Sequence, residues 1–151
     1  MVDRSFAVID DVVAPSDTQP AGAHVVDYEI QKLLSEGWQH YVAILREWVP
    51  DMPAPVVRQI TTSFDAECHA GDSLRRGTRA VSRTRRSYVL EEALWQADTL
   101  TVVATSRVIM TGIDRMTGRA AEIPRSMLEA IETLEGAALP LSGGGDKAPA
   151  Q

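Results

Sequence analysis

Apolar residues recur along this chain with two different periods. Between Asp27 and Val49, the residues Ile30, Leu33, Leu34, Trp38, Tyr41, Leu45 and Trp48 fall three or four positions apart, or at sums of those steps. That spacing predicts one face of a long α-helix. At 1.5 Å rise per residue the helix would run roughly 35 Å, and Pro50 and Pro53 stop it. Gly37 shares the apolar face, where a helical glycine costs ~1 kcal/mol against alanine. A close approach of sheet backbone would account for it. The face carries two tryptophans and a tyrosine, which either fill a core or line a pocket, so a broad surface must cover it.

Elsewhere the pattern is short, β-branched and alternating, which predicts strands. Ser5 to Val13 is the first, followed by a Pro-, Gly-, Ser- and Asp-rich loop from Ala14 to Ala23. After the helix, strands are expected over Val56–Phe64, Ser73–Ser82, Ser87–Gln96 and Leu100–Thr111, although Glu-Glu-Ala-Leu in the third of these would also suit a helix. His69 to Asp72 and Gly112 to Gly118 read as turns. Pro124 opens a short helix through Leu134, with proline near its first position. From Ala137 onward Gly, Pro and Ala dominate, so the expected organisation is one domain over 1–136 and a disordered tail over 137–151. One long helix and then four strands joined by short turns read as α+β, with a single antiparallel sheet wrapped around the helix.

Composition narrows the setting. A chain of 151 residues is one domain's worth of length, and 44% apolar with 24% charged residues is ordinary for a soluble globular protein. A single cysteine, Cys68, excludes an internal disulfide framework. No apolar run approaches the ~20 residues that span a bilayer. The first residues lack a basic stretch followed by an apolar one, so no signal peptide and a cytoplasmic location are expected. The three histidines (His24, His40, His69) are dispersed, and no metal site is expected from them. Cys68 and His69 are adjacent, so in an extended segment they point to opposite faces and make no catalytic pair.

A net charge of −6 argues against nucleic acid as a partner. Against that balance, six of thirteen arginines lie between residues 75 and 86. Alternation predicts Arg79 and Arg83 on one strand face, with Arg85 and Arg86 at the following turn. The cluster is either a solvated sheet face paired with neighbouring acids or a set of guanidinium partners for phosphates.

Several short motifs fall in a recognisable order. Asp17-Thr18-Gln19-Pro20-Ala21-Gly22 resembles a D-x-D-P-A-G loop, and Ala23-His24-Val25-Val26-Asp27 is similar to a G-H-V-N-N version of the same region. Gly71-Asp72-Ser73-Leu74 matches G-D-x-L, and Asp114 to Pro124 resembles a D-x-x-T-G-R exit into the last helix. Together, over about residues 6–135, these resemble the hotdog-fold thioesterases, in the branch of 4-hydroxybenzoyl-CoA thioesterase.

The resemblance implies a hotdog α+β domain assembling as a homodimer or a dimer of dimers, with thioester sites at the interface. It implies hydrolysis of an acyl-CoA, aroyl-CoA or acyl-carrier-protein thioester, with no cofactor beyond the coenzyme A of the substrate and no membrane partner. The carbonyl would bind backbone N–H groups near Val26, at the helix start. The second acid of the loop motif, nucleophile or base in those enzymes, is here Gln19, which has no ionisable group. Gln19 could orient a water, and Asp17 or His24 would take its proton. Asp17 also suits a turn cap. Asp27 is a candidate helix N-cap and a candidate acid, and Glu29 is a weaker second acid. Arg83, Arg85, Arg86 and Ser87 are the expected contacts to the coenzyme A nucleotide. The alternative is a catalytically silent hotdog module that binds an acyl-CoA or another apolar ligand, which the loss of the acid at position 19 favours. A hotdog hydratase is a third reading, and it would need His24 with Asp27 or Glu29.

Overall fold

The computed structural model describes residues 5–15 and 23–142. In chain order the elements are β1 (Val8–Val13), α1 (Asp27–Trp48), β2 (Ala54–Phe64), β3 (Ser73–Arg83), β4 (Ser87–Gln96), β5 (Val102–Ile113), β6 (Ala120–Ala121) and α2 (Arg125–Glu135). The strands form one sheet in the order β1-β3-β4-β5-β2, antiparallel throughout, with the two-residue β6 beside the end of β5. The sheet wraps α1, as expected. β4 is central and nearly continuously buried, and the sequence Tyr88-Val89-Leu90 through Ala93-Leu94-Trp95 supplies apolar side chains to both of its faces.

Two apolar clusters lie between helix and sheet. Leu33, Leu34, Leu74, Leu94 and Val103 pack under the first half of α1, and Tyr41, Leu45, Leu90, Val108 and Met110 under the second. Leu34 and Leu45 are fully buried, each contributing about 2 kcal/mol from removal of apolar surface. Between the clusters runs a polar row across three paired strands, Thr78 opposite Glu92 and Glu92 opposite Ser106. Gly37 sits over this row. A Cβ there would stand 2.7 Å from Thr78 Oγ1 and 2.9 Å from both Arg76 Cδ and Glu92 Oε2. The close approach expected at Gly37 is therefore real, but it is to sheet side chains and not to sheet backbone. Beside it, Arg76 donates to Leu33 O (2.8 Å) and pairs with Asp10 (2.9 Å), which also meets His40 Nδ1 (2.9 Å). Burial pushes the Asp10 carboxyl up, but the hydrogen bonds and charges of Arg76 and His40 outweigh it and hold it below the usual carboxylate range.

Four expectations shift. Trp48, the last residue of α1, is half exposed and so lies outside the covered face. The N-cap of α1 is Val26, and Asp27 is the first helical residue, so Asp27 acts on the helix by its charge alone and not as a cap. A β-bulge between Ala80 and Ser82 changes the parity of β3: Arg79 pairs with Glu91 but Arg83 with Tyr88. Arg79 and Arg83 therefore face opposite sides, and Arg83 shares the inner side with the buried Tyr88. The Glu135 carboxylate of α2 accepts the Ala80 N–H at this bulge (2.9 Å) and the phenol O–H of Tyr41. Finally, the stretch from Ala137 packs at first: Leu139 is buried, Arg83 N–H donates to Pro140 O (2.9 Å) and Ser142 N–H to Arg83 O (2.7 Å). Residues 143–151 lie outside the described residues. Among the described residues, no helix is long and apolar enough to cross a membrane.

Candidate functional site

The entry to α1 is held by a short backbone ribbon. Val25 N–H donates to Cys68 O (2.9 Å) and Ala70 N–H to Ala23 O (2.7 Å), which makes His24 and His69 directly opposed residues of an antiparallel bridge. They form its non-hydrogen-bonded pair, in which side chains approach closely. The imidazoles accordingly meet edge to face with centroids 4.5 Å apart. Glu67, two residues before His69, falls on the same face, and its Oε2 lies 3.1 Å from His24 Nδ1. Cys68 points the other way into the core, and burial together with the charge of Asp72 pushes its thiol up to about 11. Cys68 is thus core packing and not a nucleophile.

The β2–β3 connection is braced from behind. Asp72 Oδ2 accepts from His69 N–H (2.8 Å) and from Gln96 Nε2 (2.9 Å), and these bonds hold its carboxyl below the usual range. Gly71 turns the chain at φ 91°, a left-handed conformation that favours glycine. The Gly-Asp-x-Leu motif is here the brace that presents His69. Asp114 plays a comparable part in the later motif, accepting from the N–H groups of Met116 (2.7 Å) and Thr117 (3.1 Å).

Helix α1 starts beside this ribbon. Glu29 N–H and Ile30 N–H both bond to Val26 O, and no side chain caps the first turn among the described residues. The N-terminal end of the helix therefore offers backbone donors and positive dipole to an incoming oxyanion. Two clefts flank it. One, of about 330 Å³, is lined by Val25, Asp27, Ile30, Phe64, Asp65 and Glu67, and the other, of about 440 Å³, by Tyr28, Gln31, Ile60 and Phe64 among others. Both lie between α1 and β2, which pairs with β5 alone among the described strands. Ile60 and Phe64 are opposite the buried Val108 and Ala104, so they face the helix side, yet both are exposed together with Tyr28.

His24, Val26 and Asp27 thus come together at one place. Asp17 and Gln19 lie outside the described residues. The arginine turn is elsewhere, at the opposite end of β3 from Ser73, about 30 Å away along the strand. There Arg85 is exposed and pairs with Glu122 (3.3 Å), Arg86 is exposed, and Ser87 is buried with its hydroxyl 2.7 Å from that of Thr84. Three further arginines of the cluster are engaged within the chain: Arg75 with Asp11, Arg76 with Asp10 and Arg79 with Glu91. Glu67 is the member of this cluster that reading the sequence passes over. Its one local signal is the polar–apolar–polar order Glu67-Cys68-His69, which puts the outer two on one face.

No known protein-family profile matches the chain, and no curated protein matches it in sequence. Solved structures do match in shape. A Thermus thermophilus thioesterase complexed with coenzyme A and Zn superposes with a TM-score of 0.74 at 22% identity, covering 89% of this chain and 98% of that one. A 1,4-dihydroxy-2-naphthoyl-CoA thioesterase from Synechocystis gives 0.67 at 17% identity, over 83% and 94%. A gentisyl-coenzyme A thioesterase gives 0.67 at 19% identity, over 82% and 99%. This chain has the hotdog fold that these thioesterase-superfamily structures share.

Proposed function

We propose that the protein hydrolyses an acyl- or aroyl-coenzyme A thioester at the N-terminus of α1. The observation that carries this reading is the His24–Glu67 pair, 3.1 Å apart at the entry to a helix whose first turn has no side-chain cap among the described residues. A base, a carboxylate that orients it and backbone donors for an oxyanion are the parts acyl transfer to water needs. The likeness in fold to enzymes named for aroyl-CoA substrates supports the choice of thioester.

In this reading the thioester carbonyl oxygen accepts from N–H groups of the first turn of α1, around Val26 to Tyr28. His24 takes a proton from water as the water oxygen bonds to the carbonyl carbon. Glu67 stabilises the imidazolium so formed. The tetrahedral intermediate collapses by breaking the C–S bond, and His24 returns its proton to the leaving thiolate, giving a carboxylic acid and free coenzyme A. Asp27, at the first position of α1, adds negative charge beside the site without taking the proton, and Gln19 and Asp17, which lie outside the described residues, stay candidates for orienting the water and for sharing its proton with His24. The apolar lining of Val25, Ile30 and Phe64 receives the acyl group.

The reading includes a homodimer working in a reducing, cytoplasmic setting. A second copy covers Tyr28, Ile60 and Phe64 along the open edge of β2, and a pair of such dimers is a further stage of assembly. One protomer's arginine turn stands too far from its own His24 to serve the same substrate, so the nucleotide phosphates meet the exposed Arg85 and Arg86 of a second copy, while Arg83, turned to the inner side, supports the turn. Ser87 holds that turn through Thr84.

The test is release of free thiol from a panel of acyl- and aroyl-CoAs by the purified protein. Binding of these esters with no release across the panel would overturn hydrolysis in favour of a silent binding module. Changing Arg85 and Arg86 together to glutamine is expected to raise KM about tenfold or more with kcat little changed, since these groups bind without touching the reacting bond. An unchanged KM removes the arginine turn from the substrate site.

A further inference from the structure

We infer that His24, Glu67 and His69 form a binding site for a divalent transition-metal ion of the zinc class. The fold does what the sequence separation hides: one backbone bridge sets the two histidines opposite each other, and the alternation of the 67–69 segment puts Glu67 on their face. Two imidazoles and a carboxylate then present one ligand atom each, all within 4.8 Å of one another. Ligands at about 2.0–2.2 Å from a tetrahedral zinc have neighbouring donor atoms roughly 3.4 Å apart. His24 and Glu67 already meet that spacing at 3.1 Å, and His69 closes on them by a side-chain rotation.

Three features make this more than a chance gathering of polar groups. First, the ligands stand on backbone that is fixed by two inter-segment hydrogen bonds at 2.9 and 2.7 Å, so only side-chain rotation separates the present arrangement from a coordinating one. Second, the donor set is selective: imidazole with one carboxylate suits zinc, cobalt, nickel and copper, and is a poor match to calcium or magnesium, which take oxygen ligands. Third, His69 has a partner outside the ligand set. Its Nδ1 is 3.9 Å from Asp72 Oδ2, and that carboxylate is held in place by His69 N–H and Gln96. A small approach lets Asp72 accept a hydrogen bond from Nδ1–H, which leaves Nε2 of His69 for the metal, the arrangement by which carboxylates commonly orient ligating histidines. The three side chains are well exposed, so an ion enters freely and keeps at least one position for solvent. Bound metal would tie the approach to α1 to the β2–β3 connection and add to the stability of the folded chain.

The inference rests on the ribbon geometry and not on the hydrolytic reading. Both use His24, and a proton and a metal ion exclude each other there. A chain that binds metal and hydrolyses nothing would uphold this inference and overturn the other.

The test is titration of untagged, chelator-stripped protein with Co(II), followed by its visible d–d absorption and then by displacement with Zn(II). The expected result is saturable binding of one ion per chain. His24→Ala, His69→Ala and Glu67→Gln should each weaken it about tenfold or more. His40→Ala, which removes the histidine that lies further along α1 and pairs with Asp10, should leave it unchanged. In unsubstituted protein, Zn(II) should shift the imidazole NMR signals of His24 and His69 and spare that of His40, a readout that needs no variant to fold. Absence of saturable binding, affinity undiminished from the parent's in His24→Ala or His69→Ala, or equal perturbation of all three histidines would overturn the site.

Discussion

The carboxylate of Glu92, in the central strand β4, accepts a hydrogen bond from the backbone N–H of Trp38 in the middle of helix α1, at 2.8 Å. This bond crosses the layer that divides the two apolar clusters, directly beside Gly37. It fixes the height and rotation of α1 on the sheet, and so fixes where the helix presents its first turn to His24 and Glu67.

The burial of Glu92 makes stability depend on pH. Burial pushes the Glu92 carboxyl up to about 8 from an ordinary 4.5, against the smaller opposing pull of Trp38 N–H and Arg76. The folded state thus holds a proton that the unfolded chain releases. Stability from this group is full below about pH 4.5 and is lost as pH rises to about 8, a change on the order of 3–5 kcal/mol. Asp10 is shifted the other way, so its contribution is full above about pH 3.8 and is lost only as pH falls below that, outside this window. Urea unfolding at a series of pH values should show the decline, and Glu92→Gln should flatten it. Parallel curves for the two proteins would remove Glu92 as the cause.

Gly37→Ala should destabilise the fold by about 1–3 kcal/mol, despite alanine's better helix propensity. The new methyl would meet the fully buried Thr78, the paired Arg76 and the Glu92 oxygen that holds Trp38. Arg76 cannot move without loosening its bonds to Leu33 O and Asp10, nor Glu92 without loosening its bond to Trp38 N–H. Thermal or chemical unfolding of the variant reads this directly, and equal or greater stability would mean the layer is looser than its contacts indicate.

The open edge of β2 leads to an assembly prediction. Sedimentation should give a mass about twice the 16.5 kDa of one chain. Ile60→Asp, which puts a charge on a residue that is exposed in one chain and faces the helix side, should shift the protein to monomer with little loss of secondary structure. A dimer that tolerates Ile60→Asp would place the interface elsewhere, and a monomeric parent protein would overturn the homodimer.

What the sequence reveals follows the range of the interactions. The period of α1 and the whole of β4 are legible, because each is set by residues close together in the chain. So is the place of His24 just before the start of α1. The bulge at Ala80–Ser82 is not legible, since it is stabilised by Glu135 from a distant helix, and with it goes the true facing of Arg83. Val26 as N-cap is also hidden, because a capping-type residue, Asp27, stands next to it and invites the assignment. The meeting of His24, Glu67 and His69 depends on a bridge between the loop before α1 and the connection after β2. No local pattern announces such a pairing, and so the dispersed histidines look unrelated until the chain is folded.

The most direct test of the central claim is the rate of free thiol release from an acyl- or aroyl-CoA by the His24→Ala protein. Loss of the base should lower kcat/KM by about 10²–10⁴-fold, with Glu67→Gln falling between that variant and the parent, and both proteins still folded. Thiol release by His24→Ala at the parental rate would contradict the account.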